Sequence, residues 1–130
     1  VQPAILIPLP YEAPPLRSNK RLHWRAEHRH KADIRQVGRL TAKQWMQQHP
    51  GTYPLPYPVD VCLIWTVPTR HVRDADSGQP TLKSWQDGAV DAGLLSGDDF
   101  TRVRRSYCLI EHKPGQPMSL QIEIKEAADA

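Results

Sequence analysis

Asp74 and Asp76 stand two residues apart in the run Arg73-Asp74-Ala75-Asp76, and a second acidic pair, Asp98-Asp99, follows later in the chain. On an extended segment, residues two apart point to the same side. Neighbouring carboxylates repel each other unless a cation sits between them. A third carboxylate, from Asp99 or from Asp98 as the alternative, would complete an all-oxygen set suited to Mg²⁺, with Mn²⁺ as a substitute. Such an ion polarises a phosphate and lowers the pKa of a bound water. Lys83 falls in the first turn of an expected helix, close in sequence to the first two acids, where an ammonium would neutralise charge growing on a phosphate. Asp87, four residues further on, is placed to orient that lysine. An Asp-x-Asp run alone is common in surface turns. Together with Lys83 and a basic chain it points to metal-dependent phosphodiester chemistry, with Asp74, Asp76, Asp99 and Lys83 as the catalytic candidates.

The charge distribution supports a polyanionic partner. The 130 residues carry a formal net charge of +3. Between Arg17 and Lys43 there are nine Lys/Arg and only two acids, Glu27 and Asp33, whereas Asp74 to Asp99 holds six Asp and one Lys. A basic surface beside an acidic cluster suits a protein that grips a nucleic-acid backbone. The candidate DNA contacts are Asn19, Lys20, Arg21, Arg25 and Arg29 in a basic arm that begins at Arg17, together with Arg70 and Arg73 beside the acids. His23 and Trp24 lie within the arm and can hydrogen-bond to or stack on exposed bases, although Trp24 packing against a sheet is an equal expectation. Arg102, Arg104 and Arg105 also flank the acids, but alternation along a strand prevents all three from facing one way. Lys31, Arg35, Arg39 and Lys43 recur every four residues, which reads equally as a DNA-facing stripe or a solvated helix face. His23, His28 and His30 lack a partner set for zinc.

Other classes are disfavoured. No apolar run approaches the ~18 residues of a membrane span. Ala4 to Leu9 is too short for a signal peptide and lacks a basic lead. Cys62 and Cys108 lie in separate apolar runs and are expected as reduced thiols. The expected location is the cytoplasm, that of a bacterial host if the chain is phage-encoded.

The elements that must position these residues follow from periodicity. Ala4 to Leu9 predicts a strand, with Pro8 arguing for a sheet edge. Ile34, Val37, Thr41 and Trp45 predict a helix over Lys31 to Gln48, ended by His49-Pro50-Gly51. Val59 to Val67 predicts a central strand that delivers the chain to the Arg70–Asp76 segment. Leu82, Trp85, Ala89 and Ala92 predict a second amphipathic helix, opened by Pro80 and closed by Gly93. Arg102 to His112 and Met118 to Lys125 predict a hairpin around Lys113-Pro114-Gly115, and residues 126–130 a flexible tail. The expectation is a single α+β domain over residues 1–130, with a roughly four-stranded mixed or antiparallel sheet and two helices on one face. Leu63, Leu109, Ile122, Ile124, Trp45, Trp65 and Trp85 are expected in the core or a dimer interface, with Trp85 a candidate for an intersubunit seam.

The chain also resembles the RusA family of Holliday junction resolvases, of the kind carried by phages and prophages. The resemblance lies in Ser18-Asn19-Lys20-Arg21-Leu22-His23-Trp24 after a Pro-rich lead, Arg73-Asp74-Ala75-Asp76, Thr81-Leu82-Lys83 with Asp87-Gly88, and Asp91-Ala92-Gly93 leading to Asp98-Asp99. It implies a homodimeric, RusA-like endodeoxyribonuclease that binds four-way junctions and nicks two opposed strands with Mg²⁺ or Mn²⁺, serving recombination and repair. It also implies that Asp74, Asp76 and one of Asp98/Asp99 hold the metal, and that Lys83 is the essential lysine. The family usually has Asn after Asp-x-Asp, where this chain has Ser77, so a hydrogen bond behind the ligands is altered. Two rival expectations remain: a branched-DNA binding module that cuts weakly or not at all, and a nuclease for flaps and forks.

Overall fold

A computed structural model describes residues 2–18 and 22–128. The elements run β1 (Ile5–Pro8), α1 (Trp24–Gln48), β2 (Val59–Val67), α2 (Gln79–Ala92), β3 (Val103–His112) and β4 (Ser119–Glu126). They form an α+β domain with one mixed four-stranded sheet in the order β1-β4-β2-β3.

β2 is the centre of the sheet because it is apolar on both faces, and eight of its nine residues are buried. It pairs antiparallel with β4 and parallel with β3. The expected hairpin between the last two strands is therefore absent. Residues 113–118 carry the chain past the end of β2, where the Lys113 amide donates to the Val67 carbonyl at 2.9 Å. A turn signal shows that the chain reverses. It does not show that the two strands become neighbours, and here the more apolar β2 takes the place between them.

One face of the sheet presents Ile5, Ile7, Val61, Leu63, Trp65, Ile122 and Ile124 to the core, where Ile34 of α1 and Leu82 and Trp85 of α2 pack on it. The opposite face carries the alternate residues, with Leu6, Tyr107 and Leu109 exposed. Trp85 is completely buried within the one chain, and its indole donates to Thr41 Oγ1 at 3.1 Å, which excludes it from an intersubunit seam.

α1 begins at Trp24, seven residues earlier than its apolar periodicity predicted. His23 caps it, its Nδ1 accepting from the Arg25 amide at 3.2 Å. The first two turns bury no residue fully, so they carry no core-facing pattern to betray the helix. The end of the chain differs from expectation too: Glu126 closes β4, and Ala127 is buried with its amide donating to the Pro58 carbonyl at 2.9 Å. Among the described residues no helix is long and apolar enough to cross a membrane.

The two helices meet backbone to backbone at Gly38 and Gly88. A Cβ on Gly38 would overlap the Trp85 carbonyl oxygen, and one on Gly88 would overlap the Arg35 carbonyl and lie 2.8 Å from the Gly38 Cα. Gly to Ala in a helix ordinarily stabilises by up to about 1 kcal/mol. Here we expect Gly88→Ala to destabilise by about 1–3 kcal/mol through overpacking, as read from the midpoint of urea unfolding at constant m-value.

Candidate functional site

Asp74 and Asp76 do not lie on an extended segment. Residues 75–78 form turns, in which the Ser77 amide donates to the Asp74 carbonyl at 3.1 Å and the Gln79 amide to the Asp76 carbonyl at 3.0 Å. The extended-chain argument for a shared side therefore fails, because Gly78 and Pro80 draw the chain straight into α2. Both aspartates are exposed at the approach to that helix.

Lys83, on the next turn, meets a different pair of acids. Its ammonium donates to Asp87 Oδ1 at 3.0 Å, the orienting contact expected, and to Asp98 Oδ2 in a short ion pair. Asp99 is used otherwise. Its Oδ1 accepts from the Thr101 amide at 2.8 Å and from the Thr101 hydroxyl, closing the turn into β3. The acid that reaches the lysine is thus Asp98 and not Asp99, a contact separate from the choice between them as a metal ligand. The Lys83 hydrogen bond holds the Asp98 carboxyl below its ordinary pKa, and the Asp98 hydrogen bond raises that of Lys83. Asp99 is lowered by its bonds to Thr101.

Among the described residues no three His, Cys, Asp or Glu side chains gather into a group that could hold a metal. The donor chemistry of Asp74, Asp76 and Asp98 fits a hard cation, but a preassembled three-carboxylate cage is not present. Mg²⁺ characteristically keeps several waters and is held by one or two carboxylates plus substrate phosphates. Asp74 and Asp76 suit that mode. Asp98 is occupied by its lysine. The two cysteines are free thiols. Burial pushes each up to about 11, so neither supplies a thiolate nucleophile at neutral pH.

The basic candidates divide. Asn19, Lys20 and Arg21 lie outside the described residues. Arg25 and Arg29 are exposed on the first turns of α1, not in an irregular arm. Trp24 is 66 % exposed and stacked with His23, and the Arg25 guanidinium lies 5.1 Å from its ring centroid, so it does not pack against the sheet. Arg70 donates to His112 Nδ1 at 3.1 Å. Arg73 is held by the Thr69 and His71 carbonyls at 3.1 and 3.2 Å.

The four-residue basic stripe of α1 is partly consumed inside the molecule: Arg35 grips Asp91 with two bonds of 2.6 and 2.9 Å, and Lys31 pairs with Glu27 at 3.4 Å. For those residues the plain helix-face interpretation holds. Arg105 likewise pairs with Asp60 at 3.4 Å.

Two features escaped sequence reading. Ser77 is buried with a hydroxyl that has no hydrogen-bond partner, and Arg17 and Arg73 both lie 5.2 Å from the Trp65 ring centroid. A cavity of about 720 Å³ lies elsewhere, between β1 and residues 48–57, and holds none of the candidate acids. Comparison with protein-family models and with curated proteins finds no match to this chain.

The Lys83–Asp98 pair has a pH signature. Asp98 has a lowered folded-state pKa, so its contribution is complete above the ordinary carboxylate range and is lost as pH falls through the folded value. Lys83 has a raised one, so the same contribution is complete below the ordinary lysine range and is lost as pH rises through that value. Both side chains are substantially exposed, which limits the pair to under about 1 kcal/mol. The stability difference between the parent and Asp98→Asn is expected to be flat from about pH 5 to 10. It should shrink outside those limits, as followed by urea unfolding across pH.

Proposed function

We propose that this chain is a Mg²⁺-dependent endodeoxyribonuclease of RusA type that resolves four-way DNA junctions as a homodimer. The observation that carries the reading is the setting of the acids. Asp74 and Asp76 are exposed at the mouth of α2, seven to nine residues before a lysine anchored by Asp87 and Asp98, with Arg73 beside them. When bound, the cation would polarise the scissile phosphate and lower the pKa of the attacking water. Asp74 and Asp76 would hold it, with the DNA phosphate completing its shell.

Lys83 is held at its tip by two carboxylates. A phosphate that displaces one of them meets an ammonium held in place by the other, which stabilises the charge of the transition state. Asp98, once released, becomes available as the third acid. Arg25 and Arg29 on α1, with Arg70 and Arg73, supply the sequence-independent grip on the backbone. Two opposed nicks call for two-fold related sites, hence the homodimer. The sheet face with Tyr107 and Leu109 exposed is where a second copy could bury apolar surface. The proposed setting is the bacterial cytoplasm, in DNA recombination and repair.

A second reading is favoured by one observation, the absence among the described residues of a preassembled three-group cluster. It is a branched-DNA binding module without cleavage. Asp76→Asn decides between them. On a synthetic four-way junction with Mg²⁺, the parent should give paired symmetric nicks and the variant at least about 100-fold less product. Mobility-shift affinity in Ca²⁺ should stay within about twofold, and EDTA should abolish cutting by the parent. Cutting by the variant at the parental rate would remove Asp76 from the metal site. A parent that binds without cutting would establish the second reading.

A further inference from the structure

β1 lies at one edge of the sheet and has a neighbouring strand on one side only. It pairs with β4 as Ile5↔Ile124, Leu6↔Glu123, Ile7↔Ile122 and Pro8↔Gln121, and the Leu9 amide donates to the Leu120 carbonyl at 3.0 Å. In an antiparallel ladder alternate residues exchange both bonds with the neighbour. Leu9, Ile7 and Ile5 therefore turn their backbone groups to β4, and those of Leu6 and Pro8 point outward. The open edge thus presents the Leu6 N–H, the Leu6 carbonyl and the Pro8 carbonyl.

Beyond that edge is the cavity of about 720 Å³, whose far wall is Trp45, Tyr53, Leu55 and Tyr57 with Pro50 and Pro56. The wall is built before anything docks. The Trp45 and His49 rings stack at 4.3 Å, and Tyr53 meets Trp45 edge-on at 6.1 Å. The Tyr53 hydroxyl donates to the His49 carbonyl, and the Leu55 amide donates to the Leu94 carbonyl at 2.9 Å. On the near side the Gln2 amide donates to Glu126 Oε2 at 3.2 Å, which ties the start of the segment to β4.

Charge identifies the occupant. The chain carries 17 Lys/Arg and 14 Asp/Glu, yet none falls in residues 2–11 or 44–59, the two stretches that form the cavity. A charged partner finds no counter-ion there. The other edge of the sheet, β3, is the contrast: it carries Arg104, Arg105 and Glu111, and charges on an edge strand deter strand addition. An open edge with main-chain groups to share, facing an aromatic and proline-lined wall, suits an extended peptide that joins the sheet. A flat apolar molecule would use the wall and leave the strand unmet.

We infer that this groove is a docking site for a protein partner that presents an extended, uncharged, apolar segment, which adds to the sheet as a fifth strand beside β1. Leu6 and Pro8 bond its main chain, and the wall from Trp45 to Tyr57 takes its side chains. β1 is about 13 Å long, so a segment of about five residues covers it. The groove holds none of the candidate acids and stands apart from the nuclease reading.

The test is selection of the full chain against a random hexapeptide library, with Leu6→Pro selected in parallel. Proline removes the outward donor and leaves the bonds to β4 in place, because an edge strand accepts proline on its open side. Enriched peptides should lack Asp, Glu, Lys and Arg. As capped synthetic hexamers they should shift the Leu6 amide and the Trp45 indole N–H resonances. N-methylation of alternate peptide amides should weaken binding by about tenfold or more in one phase, where two hydrogen bonds are lost, and leave it within about twofold in the other. Leu6→Pro should weaken it about fivefold. If Leu6→Pro does not unfold cooperatively, Pro56→Glu replaces it as the blocked variant: the exposed wall position gains a charge, and binding of the same peptides should fall at least about fivefold.

No enrichment over the blocked variant, a charged consensus, or equal affinity in both methylation phases would overturn the proposal. A dimer in sedimentation whose Leu6 amide is protected from exchange without peptide would give the edge to a second copy and overturn it as well. None of these readouts involves DNA, so the cleavage test of Asp76 stands independently.

Discussion

The contact between Gly38 and Gly88 sets the position of everything that matters for the site. With no side chains between them, α1 and α2 approach until the backbone of one touches the other, the Trp85 carbonyl over Gly38 and the Arg35 carbonyl over Gly88. Trp85 is then driven fully into the core, where its indole finds the Thr41 hydroxyl. The exposed Arg35–Asp91 fork closes the same crossing from outside. Held this way, α2 lies on the sheet with its N-terminal turns at the end where β2 finishes and the acidic turn begins. A helix displaced by one methyl group would carry Lys83 and the Asp76–Gly78 turn with it.

The surroundings of α2 are arranged around its first turns. Gly78 opens the helix against Leu63 and Cys108, where a larger residue would press on β2 and β3. Thr81 spends its hydroxyl on both backbone groups of Leu16, a pairing that satisfies that hydroxyl and binds an irregular segment to a regular one. Gln79 donates to the Ser106 carbonyl, and Gln86 receives the Ser106 hydroxyl, so the helix is also joined to β3. Buried hydrogen bonds of this kind add direction to a contact that apolar packing alone would leave free to slide. Against that rigid frame the exposed acids and arginines stand out as the groups that fold stability does not use.

Charge is divided in the same way. Glu27, Asp60 and Asp91 each neutralise a cation inside the molecule, whereas Arg17 and Arg73 share an indole and have no such counter-ion among the described residues. Asp87 and Asp98 take up Lys83, and Asp74 and Asp76 remain at the surface. Surface pairs contribute little to stability. The groups without an internal counter-ion are therefore the ones left free to meet a partner.

Much of this was readable from residue order. The strand at Val59–Val67, the helix from Pro80 to the left-handed Gly93 cap, the acidic turn and the Lys83–Asp87 spacing depend on neighbours a few residues apart, and local periodicity and backbone preference report them directly. The polar start of α1 was hidden because a helix turn that buries no residue fully has no hydrophobic signature. The pairing of β2 with both β3 and β4, the selection of Asp98 over Asp99 by Lys83, and the meeting of Arg17 with Trp65 and Ser77 join residues far apart in the chain. Such contacts are decided by which apolar surfaces pack and how closely two glycines let helices approach. Amino-acid types thus determined the elements and the kind of chemistry on offer, and long-range packing alone chose which of the charged groups would face one another.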